Sequence, residues 1–411
     1  MRILLFGEYS NLHHTLCLAL RRAGHDVVSV SDGDGWKNYP RDIDLRRRMP
    51  GPLGSALYLA RLLWLLPRLR GYDVVQIINP VFIDVKPRWN RLLFDYLRRH
   101  NRRMSVGCFG DDYYVISRMQ RDDYLRYTDF YASGHVIDHA VNRTRIQTWM
   151  HGPKRELTQY VMARADCLVA CLYEYLKVYD TPEFHDRLHY APLPVDMTER
   201  SEAKASSQGA DPLTQEAGAD PLIQKTDAPT PGTEKASADH RTHILFAAQQ
   251  KRGQLKGTDC LEPLFDRLAA EYPDRIALHK IVSVPFAEYQ RLVAQADVVV
   301  DQLYSFTPAM AALESMRQGK VVISGYETEY ASFLQAGDTP SGIINLRPYD
   351  DEHNYEVLRR ILTDRDEITR LQACSRAFVR RYHDADDVAQ TYLRAWGMSS
   401  AESSSRCPSH R

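Results

Sequence analysis

Residues 2–30 read Arg2-Ile3-Leu4-Leu5-Phe6-Gly7-Glu8-Tyr9-Ser10-Asn11-Leu12-His13-His14-Thr15-Leu16-Cys17-Leu18-Ala19-Leu20-Arg21-Arg22-Ala23-Gly24-His25-Asp26-Val27-Val28-Ser29-Val30. Ile3 to Phe6 is a short apolar run closed by Gly7, the pattern of a strand buried on both faces. A helix is expected from about Asn11, because Leu12, Leu16, Ala19, Leu20 and Ala23 fall at helical spacing. Gly24 then stands where a C-terminal glycine belongs. His25 to Val30 reads as a second strand. Strand, helix, strand within so few residues is the βαβ unit of a parallel sheet, so the expected fold class is α/β.

The same alternation runs outward from this stretch. Val74 to Ile78, Met104 to Phe109 and Cys167 to Cys171 read as further buried strands, with helical patterns over Arg88 to His100 and Lys154 to Ala165. Leu188 to Asp196 reads as a last strand leaving the domain. Residues 197–240 are rich in Ala, Ser, Asp, Thr, Pro and Gly and contain the near-duplicates Gly209-Ala-Asp-Pro-Leu and Gly218-Ala-Asp-Pro-Leu. So little apolar surface cannot offset the entropy of ordering, which predicts a flexible linker or insertion. A second α/β pattern starts at His243 to Ala248. It continues through a helix from Cys260 to Tyr272 and strands at Arg275 to Val282, Asp297 to Asp301 and Lys320 to Ser324. A helix from Pro308 to Gln318 and closing helices at Val357 to Leu362 and Ile368 to Arg381 complete it. The Ser-rich tail after Trp396 reads as disordered. The expected organisation is an N-terminal domain over 1–196, the linker over 197–240, a C-terminal domain over 241–398 and a tail over 399–411. Both domains are expected to be Rossmann-like and to face a ligand cleft.

Composition narrows the function classes. The 411 residues carry 53 Lys+Arg and 53 Asp+Glu, a formal net charge of zero. A general nucleic-acid coat needs a basic excess, so nucleic acid is not an expected partner. The seven cysteines match no disulfide framework and read as free thiols in a reducing compartment. Cys167 and Cys171 are four apart, as on one helix face, but no second Cys or His pair follows at zinc spacing. The apolar run at the N-terminus is too short for a signal peptide. The longest apolar stretch, Leu53 to Leu66, is interrupted by Arg61 and falls short of a bilayer span of roughly 20 residues. The expected location is the cytoplasm, or the periphery of the inner face of the cell membrane.

Three motifs carry chemistry. The turn Gly7 to Asn11 joins a strand to a helix, where backbone amides can meet an anion. A capped turn explains it equally, and the three-glycine dinucleotide fingerprint is absent. Asp32 follows the second strand as a ribose-binding acid would, or as an ordinary turn acid. The second motif, Lys251-Arg252-Gly253-Gln254-Leu255-Lys256-Gly257-Thr258-Asp259, puts cations at a loop–helix junction, where they suit a leaving diphosphate. Gly257 permits close backbone approach. A solvated basic loop is the plain alternative. The third motif runs from Asp301 through Thr307-Pro308 and Glu314 to Gly319 and Ile323. Pro308 fits the first turn of a helix, and Glu314 suits a vicinal diol or, more plainly, a partly buried structural acid.

Together these motifs resemble the retaining nucleotide-sugar glycosyltransferases of the GT-B type, family 4. Lys256-Gly257-Thr258-Asp259, Val284-Pro285-Phe286, Ala296-Asp297-Val298 through Asp301-Gln302-Leu303, and Ala312-Leu313-Glu314-Ser315-Met316 with Gly319-Lys320 occur in family order. The resemblance implies a C-terminal domain for the nucleotide sugar, an N-terminal domain for the acceptor, and no metal. It further implies that Lys256 with Arg252 (or Lys251) holds the diphosphate, that Glu314 binds ribose, and that Thr307 faces phosphate. Pro285 and its neighbours would flank the base. The family's first acid would fall on Phe306 and is missing. Phe109-Gly110-Asp111-Asp112 resembles a family His-Gly-Ser-Asp pattern with Phe109 in place of the His, which marks Asp112 as a catalytic candidate. Pro192, Val195 and Asp196 match the family's interdomain junction. The implied activity is transfer of a sugar, of hexosyl type, to a saccharide or lipid-linked acceptor in surface polysaccharide or glycan assembly. An inactive binding or scaffold protein and a nucleotide-sugar epimerase stand as alternatives.

Local charge adds one expectation. Residues 41–103 hold fourteen Lys+Arg and five Asp, a local excess of nine, around the apolar stretch with Tyr58 and Trp64. Cations beside an aromatic–aliphatic helix suit an anionic membrane surface. A core helix with solvated arginines has the same signature.

Overall fold

A computed structural model describes residues 1–121, 123–132, 134–198, 239–248, 253–282, 284–337 and 339–397. The chain divides into two α/β units: Met1–Arg118 with Arg143–Pro194 and the segment from His383 onward, and Met119–Asn142 with Val195–Tyr382. The expected linker, apart from residues 197, 198, 239 and 240, and the expected tail lie outside the described residues.

The first unit is built on a seven-stranded sheet in the spatial order Ile43–Asp44, Asp26–Ser31, Arg2–Phe6, Val74–Ile77, Met104–Cys108, Cys167–Ala170, Leu188–Tyr190. Every pairing is parallel, with Ile3 opposite Val27 on one side and Val74 on the other. Ile3, Leu4, Leu5 and Phe6 are all buried, as a strand covered on both faces requires. The helix Leu12–Arg22 buries Leu12, Leu16, Ala19 and Leu20. The order reverses between the first and fourth strands, which is the Rossmann arrangement.

The last helix, Ala385–Ala395, packs on Leu12–Arg22 in this unit, whereas the sequence division assigned it to the C-terminal domain. Its buried face of Val388, Ala389, Tyr392 and Leu393 explains the placement. Trp396 follows it into the core, where its indole N–H donates to Gln76 Oε1 at 3.3 Å. Cys167 lies on a strand, so it shares no helix face with Cys171. The six described cysteines are free thiols.

The second unit carries a five-stranded parallel sheet in the order Ile276–Val282, Thr242–Ala248, Val298–Val300, Val321–Ile323, Ile343–Ile344. Its chain order is 2-1-3-4-5, the other doubly wound arrangement, with the reversal between Thr242–Ala248 and Val298–Val300. Phe246, Phe265, Leu268, Val298, Ile323 and Leu358 form its core. The segment Met119–Asn142 joins this unit and includes a small antiparallel pair, Tyr131–Ala132 with His135–Val136. The helix expected from Pro308 begins at Met310, with Ala309 as its N-cap, so Pro308 precedes the first turn. The helix Phe286–Gln295 was not foreseen, because among its residues only Val293 is buried and the apolar stripe is thin. Among the described residues no helix is long and apolar enough to cross a membrane.

Candidate functional site

In an open doubly wound sheet, ligands bind beyond the carboxyl ends of the strands at the reversal of strand order. In the second unit that edge is formed by the end of Thr242–Ala248 and by the residues after Val298–Val300. Residues 249–252 leave the first of these strands, so Lys251 and Arg252 lie outside the described residues. The chain resumes as the short helix Gly253–Lys256, turns at Gly257 with φ +69°, and enters the helix Thr258–Glu271. A Cβ on Gly257 would stand 2.9 Å from Leu303 Cβ and from the Tyr304 ring. The glycine is therefore required twice, for the left-handed backbone and for the approach of the facing loop.

That loop is bound to Lys256. The Lys256 carbonyl accepts the Leu303 N–H at 2.6 Å, and Lys256 Nζ donates to Asp301 Oδ1 at 2.6 Å. The Asp301 side chain is 4% exposed and that of Lys256 21%. Asp301 Oδ2 is buried and has no hydrogen-bond partner among the described residues. Lys256 thus stands at the expected edge with its ammonium already held by a carboxylate. The pair is neutral as a whole, so net positive charge for a diphosphate has to come from elsewhere. Sequence reading quoted Asp301 but gave it no role. Its place directly after a strand at the reversal point was the available signal.

The loop continues through Thr307, which is fully buried, to the helix Met310–Arg317. The first amides of that helix have no intrahelical acceptor. Glu314 is on its second turn, and its Oε2 accepts from Arg317 Nε at 3.0 Å. Its side chain remains 34% exposed, so it can still meet a ligand hydroxyl. Pro285 is the N-cap of Phe286–Gln295, and Val282, at the end of the strand Ile276–Val282, and Phe286 are exposed apolar side chains. Such a surface suits a planar ring.

Phe306, where the family resemblance wants an acid, is buried against Tyr127, with ring centroids 4.7 Å apart. The Tyr127 hydroxyl donates to Glu327 Oε1 at 2.6 Å. Glu327 Oε1 also accepts from Asn345 Nδ2 at 3.1 Å, and Oε2 pairs with Arg126. Arg126 pairs further with Glu329 at 2.8 Å, and these hydrogen bonds, Glu329 foremost, hold its pKa above the ordinary arginine value. Sequence reasoning missed Tyr127 and Glu327, because their partners lie about two hundred positions apart in the chain.

In the first unit the corresponding edge follows Arg2–Phe6. Gly7 has φ +92°, and a Cβ there would meet Ile78 Cγ2 at 2.2 Å, so packing against the neighbouring strand already demands the glycine. Glu8 Oε1 accepts the His13 N–H at 3.1 Å and Oε2 the His14 N–H at 2.8 Å. The helix N-terminus is therefore capped from within, which favours the capped-turn reading over an open anion site. Burial pushes the Glu8 carboxyl up to about 8 and the His13 imidazole down to about 4. Asp32 accepts the Asp34 N–H at 3.1 Å and is a turn acid.

Asp112 is fully buried. Its Oδ1 accepts the Val115 N–H at 2.9 Å and its Oδ2 accepts from the Tyr179 hydroxyl. Burial raises its pKa to about 6 against those hydrogen bonds. With no exposed oxygen it caps the following helix in this arrangement. Phe109 is also buried, with its ring 6.3 Å from that of His13.

A cavity of about 880 Å³ opens elsewhere in the second unit, among Thr242, Asp274, Arg275, Thr363 and Arg365. It lies at the amino ends of the strands, opposite the Lys256 edge, and its rim is wide and charged. Strand topology therefore outweighs its size in locating the site. Among the described residues no group of three His, Cys, Asp or Glu side chains could hold a metal ion.

No family model matches the sequence, and the search of curated proteins finds no match either. Solved structures do match over nearly the whole chain. Sucrose-phosphate synthase from Thermosynechococcus elongatus aligns with TM-score 0.52 and 13% identity, covering 97% of this chain and 100% of that one. HepE from Anabaena in complex with UDP-glucose aligns with TM-score 0.51 and 10% identity, covering 97% and 99%. MnaA from S. aureus with UDP aligns with TM-score 0.52 and 10% identity, covering 99% of each chain. At these identities the likeness shows the fold: two Rossmann-like domains of the GT-B class.

Proposed function

We propose that this protein is a glycosyltransferase that moves a sugar from a nucleotide-diphosphate donor to a saccharide or lipid-linked acceptor. Surface polysaccharide or glycan assembly is the setting this reading fits, with hexosyl transfer and a retaining outcome as the family resemblance implies. The observation that carries it is the Lys256–Asp301 pair at the strand-order reversal of the second unit. A lysine fixed there by Asp301 and the Leu303 amide is suited to meet a phosphate oxygen.

In this proposal Lys256 contacts the diphosphate, and Arg252, or Lys251, adds the net positive charge that the Lys256–Asp301 pair lacks. Glu314 takes the ribose hydroxyls, Thr307 lines the phosphate side, and Pro285 borders the base. Side-chain cations neutralise the leaving group, so the reaction needs no metal. Gly7 shapes the N-terminal edge, and Asp112 positions that edge by capping. The bound UDP-glucose of HepE and the bound UDP of MnaA, proteins of the same fold, support a nucleotide-sugar donor. Contact of the 41–103 region with the inner face of the membrane brings a lipid-linked acceptor within reach.

A thermal-shift panel of UDP, GDP and their sugars tests the donor site, followed by transfer assays with the stabilising donor. Stabilisation by one nucleotide series is expected, and no stabilisation by any of them overturns the proposal. One observation favours a second reading, an inactive GT-B binding protein: Phe306 fills the place of an acid and is locked by Tyr127. Nucleotide binding without hydrolysis or transfer supports that reading. The epimerase alternative is not favoured over transfer.

A further inference from the structure

The helix Gly51–Leu65 in the first unit turns much of its apolar surface outward. Leu53 is 64% exposed, Leu57 53%, Leu63 64% and Trp64 65%. Gly54, Leu62 and Leu65 are its buried residues, so only a narrow stripe anchors it to the unit. The outward stripe Leu53, Leu57, Ala60, Trp64 advances by three or four residues per step, which keeps it on one side of the helix. Isolated exposed leucines need no explanation, whereas a contiguous row along a whole helix does.

Charge identifies what covers the row. Residues 45–72 contain six arginines and no acidic residue or lysine. Arg48, Arg61, Arg68 and Arg70 have no carboxylate partner among the described residues, and the Arg68 guanidinium lies over the Trp64 ring at 4.5 Å. The second basic helix, Pro87–His100, is tied to this region, since the Tyr96 hydroxyl donates to the Leu66 carbonyl at 2.8 Å. It adds exposed Arg88, Arg91, Arg98 and Arg99 around Leu92, itself 57% exposed. A protein partner that buried the leucines would also have to supply many carboxylates. A sheet of anionic lipid headgroups supplies negative charge over the whole area and receives the leucines between its acyl chains.

We propose that the outward face of Gly51–Leu65, flanked by the arginines of residues 46–70 and of Pro87–His100, is a docking surface for an anionic lipid bilayer. The helix lies in the headgroup plane with Leu53, Leu57, Leu63 and Trp64 entering the acyl region. The inference deepens the membrane element of the proposed function and rests on it there, but it requires neither a donor nor transfer. Failure of sugar transfer would leave it standing, and failure of lipid binding would leave the donor site standing.

The test is co-sedimentation of the full chain with vesicles of phosphatidylglycerol and phosphatidylcholine, against pure phosphatidylcholine, at low and high salt. Binding is expected to the anionic vesicles, falling at least tenfold in high salt and at least tenfold in L57Q/L63Q/W64Q. R61Q/R68Q/R70Q should lower anionic binding by a similar factor. Brominated lipid should quench tryptophan emission in the native chain and less in W64F. The altered side chains are mostly exposed, so an unchanged melting temperature verifies that the variants fold. Absent binding at low salt, equal binding to neutral vesicles, or full binding by the folded triple leucine–tryptophan variant overturns the proposal. A dimer in solution that L57Q/L63Q/W64Q converts to monomer also overturns it, since a second copy would then cover the face.

Discussion

Breaking the Lys256–Asp301 pair from either side should give unequal costs. The two atoms lie 2.6 Å apart, with Asp301 4% and Lys256 21% exposed. Removing one member of a buried pair costs about 3–5 kcal/mol, because the other charge is left without a partner. K256M does this to the carboxylate. Oδ1 loses its donor, and Oδ2 has none among the described residues to begin with. A cost of about 3 kcal/mol follows. D301N leaves an ammonium that can turn its partly exposed head to water, so about 1–2 kcal/mol is expected. At roughly 2–4 °C per kcal/mol for a unit of this size, K256M lowers the melting point by about 6–12 °C and D301N by about 2–8 °C. Calorimetry with the two units fitted as separate transitions measures both. The double variant closes a cycle whose coupling should exceed about 1.5 kcal/mol. If Lys256 also meets the diphosphate, K256M weakens UDP binding roughly tenfold to hundredfold, the value of one charge-assisted hydrogen bond. Additive shifts, or a K256M cost below that of D301N, would refute the reasoning.

Other outcomes follow from the same geometry. G257A should cost about 2–3 kcal/mol, from the left-handed backbone and the 2.9 Å approach to Leu303, read as a lower melting point together with weaker UDP binding. F306E should destabilise by about 3–4 kcal/mol, since it buries a carboxylate against the Tyr127 ring; a gain of donor turnover would contradict this. Y127F should cost only about 1 kcal/mol, because Glu327 keeps its Asn345 and Arg126 donors. The pH dependence of stability carries two opposed signatures. Glu8, raised to about 8 from 4.5, makes the unfolded chain the better acid, so its contribution to stability falls as pH rises between those values. His13, lowered to about 4 from 6.5, makes the unfolded chain the better base, so its contribution rises with pH between 4 and 6.5. Above 6.5 Glu8 acts alone. Denaturant titrations should therefore show the native chain losing stability between about pH 6.5 and 8, and E8Q losing less.

Legibility in the sequence depended on whether a signal was local. The strands Arg2–Phe6 and Val298–Val300 could be read because burial on both faces writes a continuous apolar run. The turn at Gly257 could be read because a glycine between a loop and a helix has few other uses. The helix Phe286–Gln295 escaped because it is only ten residues long and buries Val293 alone, so few large apolar side chains mark it. Ala385–Ala395 was placed in the wrong half because chain order is no guide to which core an amphipathic face will enter. The contacts of Gly7 with Ile78 and of Asp112 with the Val115 amide were not legible, because they depend on neighbours that only the fold brings together.

Phe306 shows how far reading without long-range partners can mislead. In the sequence it is a lost acid, which leaves a choice between a divergent substrate and a dead site. In the fold it is one side of a matched cluster. Its ring fills the space beside Tyr127, the Tyr127 hydroxyl serves Glu327, and Asn345 and Arg126 serve the rest of that carboxylate. A negative charge is therefore present one loop away from the position where the family resemblance expects it, buried and fully paired. An acid placed at 306 would strand a second carboxylate beside the first and would raise the cost of both. Phe306 thus belongs to a loop packed around Glu327, and an acid placed at 306 alone should lower stability.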